Sequence, residues 1–551
     1  MLLVIALGLT ALLHQHMSDV LALHVFFDAR TSNAVNNVES ELPPAEVYSV
    51  GGWLNYTLTV QEGVWTLPRG ISFETRLYNG VAPSPVLHAA PGERVRLLVQ
   101  NRLGSNIATH NDVTKLGFRQ ANTTNLHLHG IYDDAKHDDT FARVHPGSEK
   151  LYSYHLEPRS GSSLIYYHPH ADGATALQSV GGMGGVLVIT DETQEAALAL
   201  PAVATRALLL QAFNLDPTNT GDYVGTQLAN GGSSTLGAAV RNPTGFQGTL
   251  LVVNGADAPR EQLPAGGWLR LQLVNAVTGG YSSVHLGFGP PARSDVEACM
   301  LTLLAYDGVW LNTPRAVPSM LLPPGGRAEV LVGCAASGTH VFGSLGSSAL
   351  GGTLPAGGAV VVLDVEADAT GGGEGGDDVA SVAATMVSML ARLPRALPGP
   401  PEYYRADISS ARVAPHHQHS LVFSSSTGLN VINERAYNTS HVEMHMEIGA
   451  VVEWTLIGAE SPGTLLKLHP YHQHFCHFQI VEVVDTGADG GGGGDALELL
   501  PLVGEWRDTI PLYGRVRYKI RFVAPFSGLL TVHCHIQKHS ENGMMTLARI
   551  A

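Results

Sequence analysis

The feature that most constrains the fold is a long succession of short apolar segments separated by clusters of Gly, Pro and Asn. Residues 95–100, 185–189 and 328–332 are examples, each rich in Val and Leu and bounded by residues that favour turns. This pattern is typical of β-strands in sandwiches. The chain contains 62 Gly and 31 Pro, which agrees with frequent turns. The sequence therefore predicts an all-β protein.

The strand-like segments fall into consecutive series along the 551 residues. Because domains usually contain about 100–200 residues, a chain of this length predicts several of them. We predict a first domain at residues 45–195, a second at 203–368 and a third at 385–551. Residues 369–384 begin with a Gly-rich acidic tract that has no apolar residue to bury, which predicts a linker. A further Gly run at 490–494 predicts a surface loop.

The first residues predict export from the cytoplasm. The apolar run at residues 2–13 has the length of a signal peptide and is much shorter than the roughly 20 residues that span a bilayer. We therefore interpret residues 1–23 as a signal peptide and expect a secreted or extracytoplasmic protein with no stable membrane span. Sequons at Asn55, Asn122 and Asn438 would make the chain a glycoprotein if a eukaryotic cell exports it.

Charge and cysteine content exclude two further classes of protein. The net charge of −16 gives no basic surface for nucleic acid. Four cysteines are too few for a disulfide-built scaffold. Cys299 and Cys334 form either a disulfide or two buried thiols, and the spacing leaves both possibilities open. Cys476 lies among apolar residues and is predicted to be a buried, inert thiol.

Histidines occur in pairs that chance does not explain. Random placement of 26 histidines predicts roughly one His-x-His pair, whereas the chain contains six. In an extended strand, residues two apart point to the same side, so each pair offers two imidazoles to one metal region. Four of the pairs have strand-like context and supply eight candidate ligands: His127, His129, His168, His170, His472, His474, His533 and His535.

The segment 531–545 predicts that one strand serves two metal sites. Strand alternation turns Cys534 away from the face that His533 and His535 share. On the side of Cys534, His469, His539 and Met544 complete a set of two imidazoles, one thiolate and one weak thioether. This ligand set is typical of blue-copper sites that transfer electrons.

Four motifs, at residues 125–130, 167–170, 469–474 and 533–544, resemble the copper motifs of multicopper oxidases and follow in the same order. Residues 181–189, 324–332 and 506–509 are also similar to stretches of that family. The resemblance covers most of residues 47–551. It implies three consecutive cupredoxin-like Greek-key β-sandwich domains, with a copper cluster between the first and third and a copper-free second domain as a spacer.

The resemblance also implies four coppers per chain and apportions their ligands. The type 1 copper would be held by His469, Cys534, His539 and axial Met544. The type 2 copper would be held by His127 and His472. The two type 3 coppers would be held by His129, His168 and His535, and by His170, His474 and His533.

Acidic residues near these motifs are expected to carry protons to the cluster. Asp138 and Asp139 follow the first motif, where related oxidases keep an acid. Many bacterial relatives have Glu directly after the second type 1 histidine, but this chain has Ser540 there. Either Glu541 substitutes or the proton path differs from that of those relatives.

The function implied is an oxidase that couples four one-electron oxidations to the reduction of dioxygen to water, as laccases do. Phenols or aromatic amines are the expected substrates. The main alternative is oxidation of Fe(II) or Mn(II), since the acidic net charge could favour a cation near exposed edges of His469 and His539. A non-catalytic copper-binding protein on the same fold is another alternative. A nitrite reductase needs fewer imidazoles, and zinc hydrolases do not use this thiolate and thioether set.

Overall fold

The computed structural model describes residues 45–106, 120–216, 218, 240–279, 282–289, 298–347, 350–366, 379–404, 408–426, 429–459, 468–485, 498–514 and 516–551. The predicted signal peptide and the Gly run at 490–494 lie outside these residues. No helix in the described ranges is long and apolar enough to cross a membrane.

Strands dominate the described residues, as predicted. In the first part of the chain they are β1 (Glu46–Tyr48), β2 (Trp53–Thr66), β3 (Ser72–Tyr78), β4 (Val86–Ala89), β5 (Arg94–Asn101), β6 (His127–His129), β7 (Glu149–His155), β8 (Ser163–His168) and β9 (Gly185–Ile189). In the middle they are β10 (Ala202–Asn214), β11 (Thr249–Val253), β12 (Arg260–Pro264), β13 (Trp268–Asn275), β14 (Val284–Phe288), β15 (Cys299–Tyr306), β16 (Val309–Val317), β17 (Ser319–Leu322), β18 (Arg327–Cys334), β19 (Gly338–Ser344) and β20 (Ala359–Glu366). In the last part they are β21 (Gln418–Ser426), β22 (Leu429–Ile432), β23 (Met444–Met446), β24 (Val451–Gly458), β25 (Leu468–Gln473), β26 (Phe478–Asp485), β27 (Trp506–Arg507), β28 (Thr509–Tyr513), β29 (Val516–Val523), β30 (Gly528–Cys534) and β31 (Met545–Ile550).

Within the described residues, helices are short and few. The α-helices are α1 (Thr175–Val180), α2 (Glu192–Leu198), α3 (Val379–Ala391) and α4 (Gln537–Glu541). Single 3-10 turns occupy Pro68–Gly70, Glu402–Tyr404 and Pro415–His417.

The sheets of the described residues form three consecutive pairs, and each pair is a sandwich. The first sandwich has the strand orders β3-β2-β5-β7 and β1-β4-β9-β8-β6. The second has β11-β10-β13-β18-β15-β16 and β12-β20-β19-β14-β17. The third has β22-β21-β24-β29-β26-β27 and β23-β31-β30-β25-β28. This architecture confirms the predicted fold class of all-β, cupredoxin-like domains.

Alternation along the strands explains how each sandwich buries its core. In β24 every second residue is buried, including Val452, Trp454 and Leu456, while the intervening residues are partly exposed. Successive side chains of a strand point to opposite faces, so this period of two directs one face toward the opposing sheet.

Part of the predicted linker at 369–384 is helical in the structure. Its Gly-rich part lies outside the described residues, but residues 379–384 form the start of α3. Val382 and Met389, seven residues apart, lie on one face of that helix and pack with Trp268 and Leu331 of the second sandwich. The first residues assigned to the third domain, 385–391, therefore cover the second one.

The structure shows the state of three cysteines and of the three asparagines in sequons. Cys299 and Cys334 form a disulfide between the paired strands β15 and β18. Cys476 is buried, and burial raises the pKa of its thiol to about 12. Asn55 and Asn438 are exposed, but Asn122 is buried and its side-chain oxygen accepts a hydrogen bond from Arg76 Nε. The folded structure therefore has no room for a glycan on Asn122.

Candidate metal centre

The eight histidines predicted to form a cluster lie in two pairs of antiparallel strands or within two residues of their ends. His127 on β6 lies opposite His168 on β8 in the first sandwich. His472 on β25 lies opposite His533 on β30 in the third. All eight side chains are buried, and His170 is the most exposed of them at 8%.

The imidazoles of the first and third sandwiches face each other at close range. The rings of His127 and His474 stack with centroids 4.0 Å apart, and those of His129 and His472 stack at 3.7 Å. His129 Nδ1 lies 3.0 Å from Nε2 of His535. Residues distant in sequence thus converge on one enclosed region.

The ligand atoms gather into small groups that match parts of the expected apportionment. The nitrogen atoms of His170, His474 and His533 lie within 4.8 Å of one another, as expected for one type 3 copper. His127 and His472, the expected type 2 ligands, form a group of the same size with His474. His127, His129 and His168 form another, so neighbouring groups share imidazoles. Such sharing is compatible with several metal ions held side by side.

Hydrogen bonds to backbone carbonyls fix the tautomers of three of these imidazoles. Nδ1 of His168 donates to Pro169 O at 2.9 Å, that of His472 to Asp508 O at 3.0 Å, and that of His533 to Cys534 O at 3.0 Å. Because a carbonyl oxygen only accepts, Nδ1 carries the proton and Nε2 keeps its lone pair.

Several lone pairs are left without a partner in the region that the rings enclose. Within the described residues, no hydrogen bond reaches Nε2 of His127, His168 or His472. Buried polar atoms are nearly always satisfied, so these nitrogens point to a bound ion. Imidazole nitrogen is a good ligand for copper, and the donor set therefore fits the predicted metal.

Burial keeps the cluster imidazoles neutral, the form that binds metal. Loss of solvation lowers the pKa of His168 to about 3 and that of His533 to about 4. The pKa of His127 is lowered well below its ordinary value, first by burial and then by the neighbouring histidines. Eight neutral imidazoles in a buried region are ready to accept cations without first losing protons.

The predicted blue-copper ligands also come together. Sγ of Cys534 lies 3.9 Å from Nδ1 of His469 and 3.7 Å from Nδ1 of His539. Met544 is fully buried, and its backbone N–H donates to His539 O at 2.9 Å. The thiolate and both imidazoles form a group of potential ligands within 4.8 Å of one another.

One expectation about this second site is wrong. We expected exposed edges on both His469 and His539, but His469 is only 1% exposed because β25 lies between β28 and β30. His539 is partly exposed on the short helix α4. Of these two imidazoles, that of His539 is the one that reaches the surface.

The acids singled out as proton carriers occupy different environments. Asp138 is buried, its Oδ2 lies 2.6 Å from Nδ1 of His127, and burial raises its pKa to about 8. Asp139 is half-buried and pairs with Lys150 at 2.9 Å. Glu541 accepts a hydrogen bond from the backbone N–H of Ala176 at 3.3 Å. Of the three, Asp138 is the acid that contacts a cluster histidine.

The second sandwich supplies residues to the cluster that sequence reasoning missed. Arg327 lies at the start of β18 and donates to both carboxylate oxygens of Asp508 at 2.6 Å. Asp508 Oδ1 in turn lies 3.2 Å from Nε2 of His129. Burial alone would raise the pKa of Asp508, but the charge of Arg327 holds that pKa below its ordinary value. Arg327 and Asp508 lie in the stretches 324–332 and 506–509, which resemble the multicopper oxidase family. That resemblance is the sequence signal that could have pointed to them.

Gly325, on the turn before β18, also contacts the cluster. Its φ is +76°, and a Cβ placed there would lie 2.7 Å from Cε1 of His129 and 2.7 Å from Cε1 of His535. Only glycine allows the turn to approach the imidazoles so closely. The second sandwich is therefore more than a spacer.

The fold and the two donor sets define a protein built to bind copper between β-sandwiches, and comparisons with known proteins agree. Two models described as "Multicopper oxidase" match residues 59–194 and 410–550, together half of the chain. The chain belongs to the multicopper oxidase family.

Proteins of similar sequence have names that describe different roles. The multicopper oxidase mco of Staphylococcus aureus is 25% identical over 51% of this chain and 53% of its own length. The cell division protein FtsP of Shigella dysenteriae is 25% identical over 50% of each chain. The matches thus span about half the length of these curated relatives.

Solved structures show the same fold over nearly the whole chain. A Campylobacter jejuni multicopper oxidase described as a metallo-oxidase has a TM-score of 0.65 and 18% identity, covering 92% of this chain and 94% of its own. A laccase from Pediococcus acidilactici has a TM-score of 0.64 and 19% identity, covering 93% of each chain.

Proposed function

We propose that this protein is a laccase-like oxidase that takes single electrons from a phenol or aromatic amine and reduces dioxygen to water. Dioxygen accepts four electrons, whereas such a substrate gives one at a time. The protein therefore needs one place to accept electrons and another to collect them. Copper, when bound, supplies the one-electron redox chemistry at both places.

One observation carries this proposal: adjacent residues at the end of β30 belong to different donor sets. Cys534 belongs to the set with His469 and His539, while its neighbours His533 and His535 belong to the cluster. Two covalent routes through the backbone therefore connect the two donor sets. A protein that only stored copper would have no use for this connection.

The ligands of the two sets are proposed as the resemblance to multicopper oxidases apportions them. His469, Cys534, His539 and Met544 would hold a type 1 copper. His127 and His472 would hold a type 2 copper. A type 3 pair would be held by two sets of three imidazoles: His129, His168 and His535, and His170, His474 and His533. The chain would thus bind four coppers.

The residues around the cluster would exclude bulk water and handle protons. Because the eight imidazoles are buried, the region would be closed to bulk water. Asp138 is placed to hold a proton at its carboxylate beside His127. We propose Asp139, which lies next to Asp138 at the edge of solvent, and Glu541 as weaker candidates for the same role.

The surface at His539 favours an organic substrate over a metal cation. Lys538, the adjacent residue, is exposed, and we propose that its positive charge disfavours Fe(II) or Mn(II) near the accepting imidazole. A neutral phenol carries no such penalty. The net charge of −16 and the likeness to a metallo-oxidase support the alternative.

A direct comparison of substrates tests the proposal. Copper-loaded protein would be given a methoxyphenol, Fe(II) or Mn(II), and oxygen uptake would be followed after subtraction of spontaneous oxidation. We expect saturable uptake with the phenol. Uptake with a metal ion alone would make the protein a metallo-oxidase, and uptake with none of them would favour a non-catalytic copper-binding protein.

The role of Lys538 has its own test. Lys538→Glu should raise the rate with Fe(II) relative to the rate with the phenol, because it reverses the local charge. Lys136→Glu makes the same charge change on an exposed turn of the first sandwich and serves as the control. Equal effects of the two substitutions would show that the charge beside His539 does not select the substrate.

Such a protein would act outside the cytoplasm, in keeping with the predicted signal peptide. Beyond copper and dioxygen, we propose a small reducing substrate as its partner.

A further inference from the structure

Arg327 bonds to all three sandwiches from a fully buried position. Its Nε donates to Leu164 O of the first sandwich at 3.2 Å, and its Nη2 donates to Asp307 O of the second at 2.9 Å. Its two terminal nitrogens hold the Asp508 carboxylate of the third at 2.6 Å each. The side chain has no exposed surface.

Asp508 is the link between this guanidinium and the cluster. Its Oδ1 accepts from Thr509 Oγ1 at 2.8 Å and lies 3.2 Å from His129 Nε2. Its backbone oxygen accepts from His472 Nδ1 at 3.0 Å. Two imidazoles of the cluster therefore depend on where one aspartate lies.

The bond from His129 to Asp508 determines which nitrogen of His129 faces the other imidazoles. A carboxylate accepts, so Nε2 of His129 carries the proton and Nδ1 keeps the lone pair. That Nδ1 lies 3.0 Å from His535 Nε2, on the inner side of the cluster. If Asp508 rotated away, the tautomer of His129 would no longer be fixed.

The planar guanidinium suits this task in a way that lysine does not. Two parallel hydrogen bonds fix both the position and the rotation of a carboxylate, whereas an ammonium group fixes only a distance. A buried Asp508 without this partner would also be costly to keep in place.

We propose that Arg327, from the second sandwich, is a positioning residue for the cluster: it orients Asp508, which orients His129 and His472 to bind copper. This inference rests on the proposed copper centre but not on turnover. Residues that orient metal ligands typically change metal affinity by about 10–100-fold when they are replaced.

The test compares Arg327 with a matched arginine. Arg270, on the neighbouring strand β13, is also buried and bonds Glu329 and Glu195 at 2.8 and 2.6 Å, but its partners are not cluster residues. The variants Arg327→Lys, Arg327→Met, Arg270→Lys and Arg270→Met would be loaded with copper. Copper per chain under chelator competition, blue absorption and unfolding temperature would then be measured.

We expect both Arg327 variants to bind cluster copper about 10–100-fold more weakly while the blue absorption of the Cys534 site is kept. Arg270 variants should lose stability and keep all copper. Arg327→Lys retains the buried charge, so it provides a folded variant if Arg327→Met does not fold.

Two results would overturn the inference. One is an Arg327→Lys protein that retains wild-type copper affinity, and the other is an equal copper loss in the Arg270 variants. A wild-type protein that loads copper but consumes no oxygen would refute the proposed function and leave this inference intact.

Discussion

Gly325→Ala should remove copper from the cluster through one added methyl group. Its Cβ would lie 2.7 Å from carbon atoms of His129 and His535, whereas carbon atoms pack at about 3.5 Å or more. The rings would have to move by roughly 0.8 Å to relieve this contact. Metal–ligand distances tolerate only about 0.2 Å, so we expect copper affinity to fall by at least about 10–100-fold.

The same substitution also places alanine at φ +76°, a conformation that costs about 1–2 kcal/mol for residues other than glycine. Gly449→Ala separates the two effects, because Gly449 has φ +78° and no atom within 4 Å of an added Cβ. In denaturant titrations Gly449→Ala should lose only the unfolding free energy due to the positive φ, and Gly325→Ala should lose more because its methyl group also contacts the rings. Only Gly325→Ala should lose cluster copper, measured as copper per chain with the blue absorption kept.

A Gly325→Ala protein with full copper content would refute this reasoning. So would an equal loss of copper in Gly449→Ala, since that would show that general destabilisation empties the site.

Two further predictions concern the cluster and the disulfide. His127→Ala should keep the blue absorption of the Cys534 site and stop oxygen uptake, whereas His441→Ala, on a half-exposed histidine outside the cluster, should change neither. Replacing both Cys299 and Cys334 by Ser should lower the free energy of unfolding by about 3–4 kcal/mol, because the disulfide closes a loop across 35 residues. Denaturant titration would check this value, and an unchanged midpoint would contradict it.

The ligand sets could be predicted because their signal is local. A period of two along a strand places His533 and His535 on one face and Cys534 on the other, and the structure brings those side chains into separate groups. The same regularity made the all-β fold predictable. The assignment of each histidine to a copper type stays a prediction.

Contacts between distant segments could not be predicted in the same way. Arg327 and Asp508 are 181 residues apart, and neither has a neighbour whose spacing suggests the other. The burial of His469 depends on its position in an inner strand of a sheet, which the order of strands along the chain does not reveal. The helix α3 was missed because a Gly-rich tract precedes it and its apolar face covers another sandwich.

We propose that electrons enter at the Cys534 site and reach dioxygen at the cluster. The measurement that tests it most directly is the number of phenol molecules oxidised per dioxygen consumed, with peroxide assayed in parallel, in wild type, Cys534→Ser and the control Cys476→Ser. We predict four phenols per dioxygen without peroxide in wild type and in Cys476→Ser, and neither blue colour nor uptake in Cys534→Ser. Uptake that persists in Cys534→Ser, or two phenols per dioxygen with peroxide released, would contradict the account.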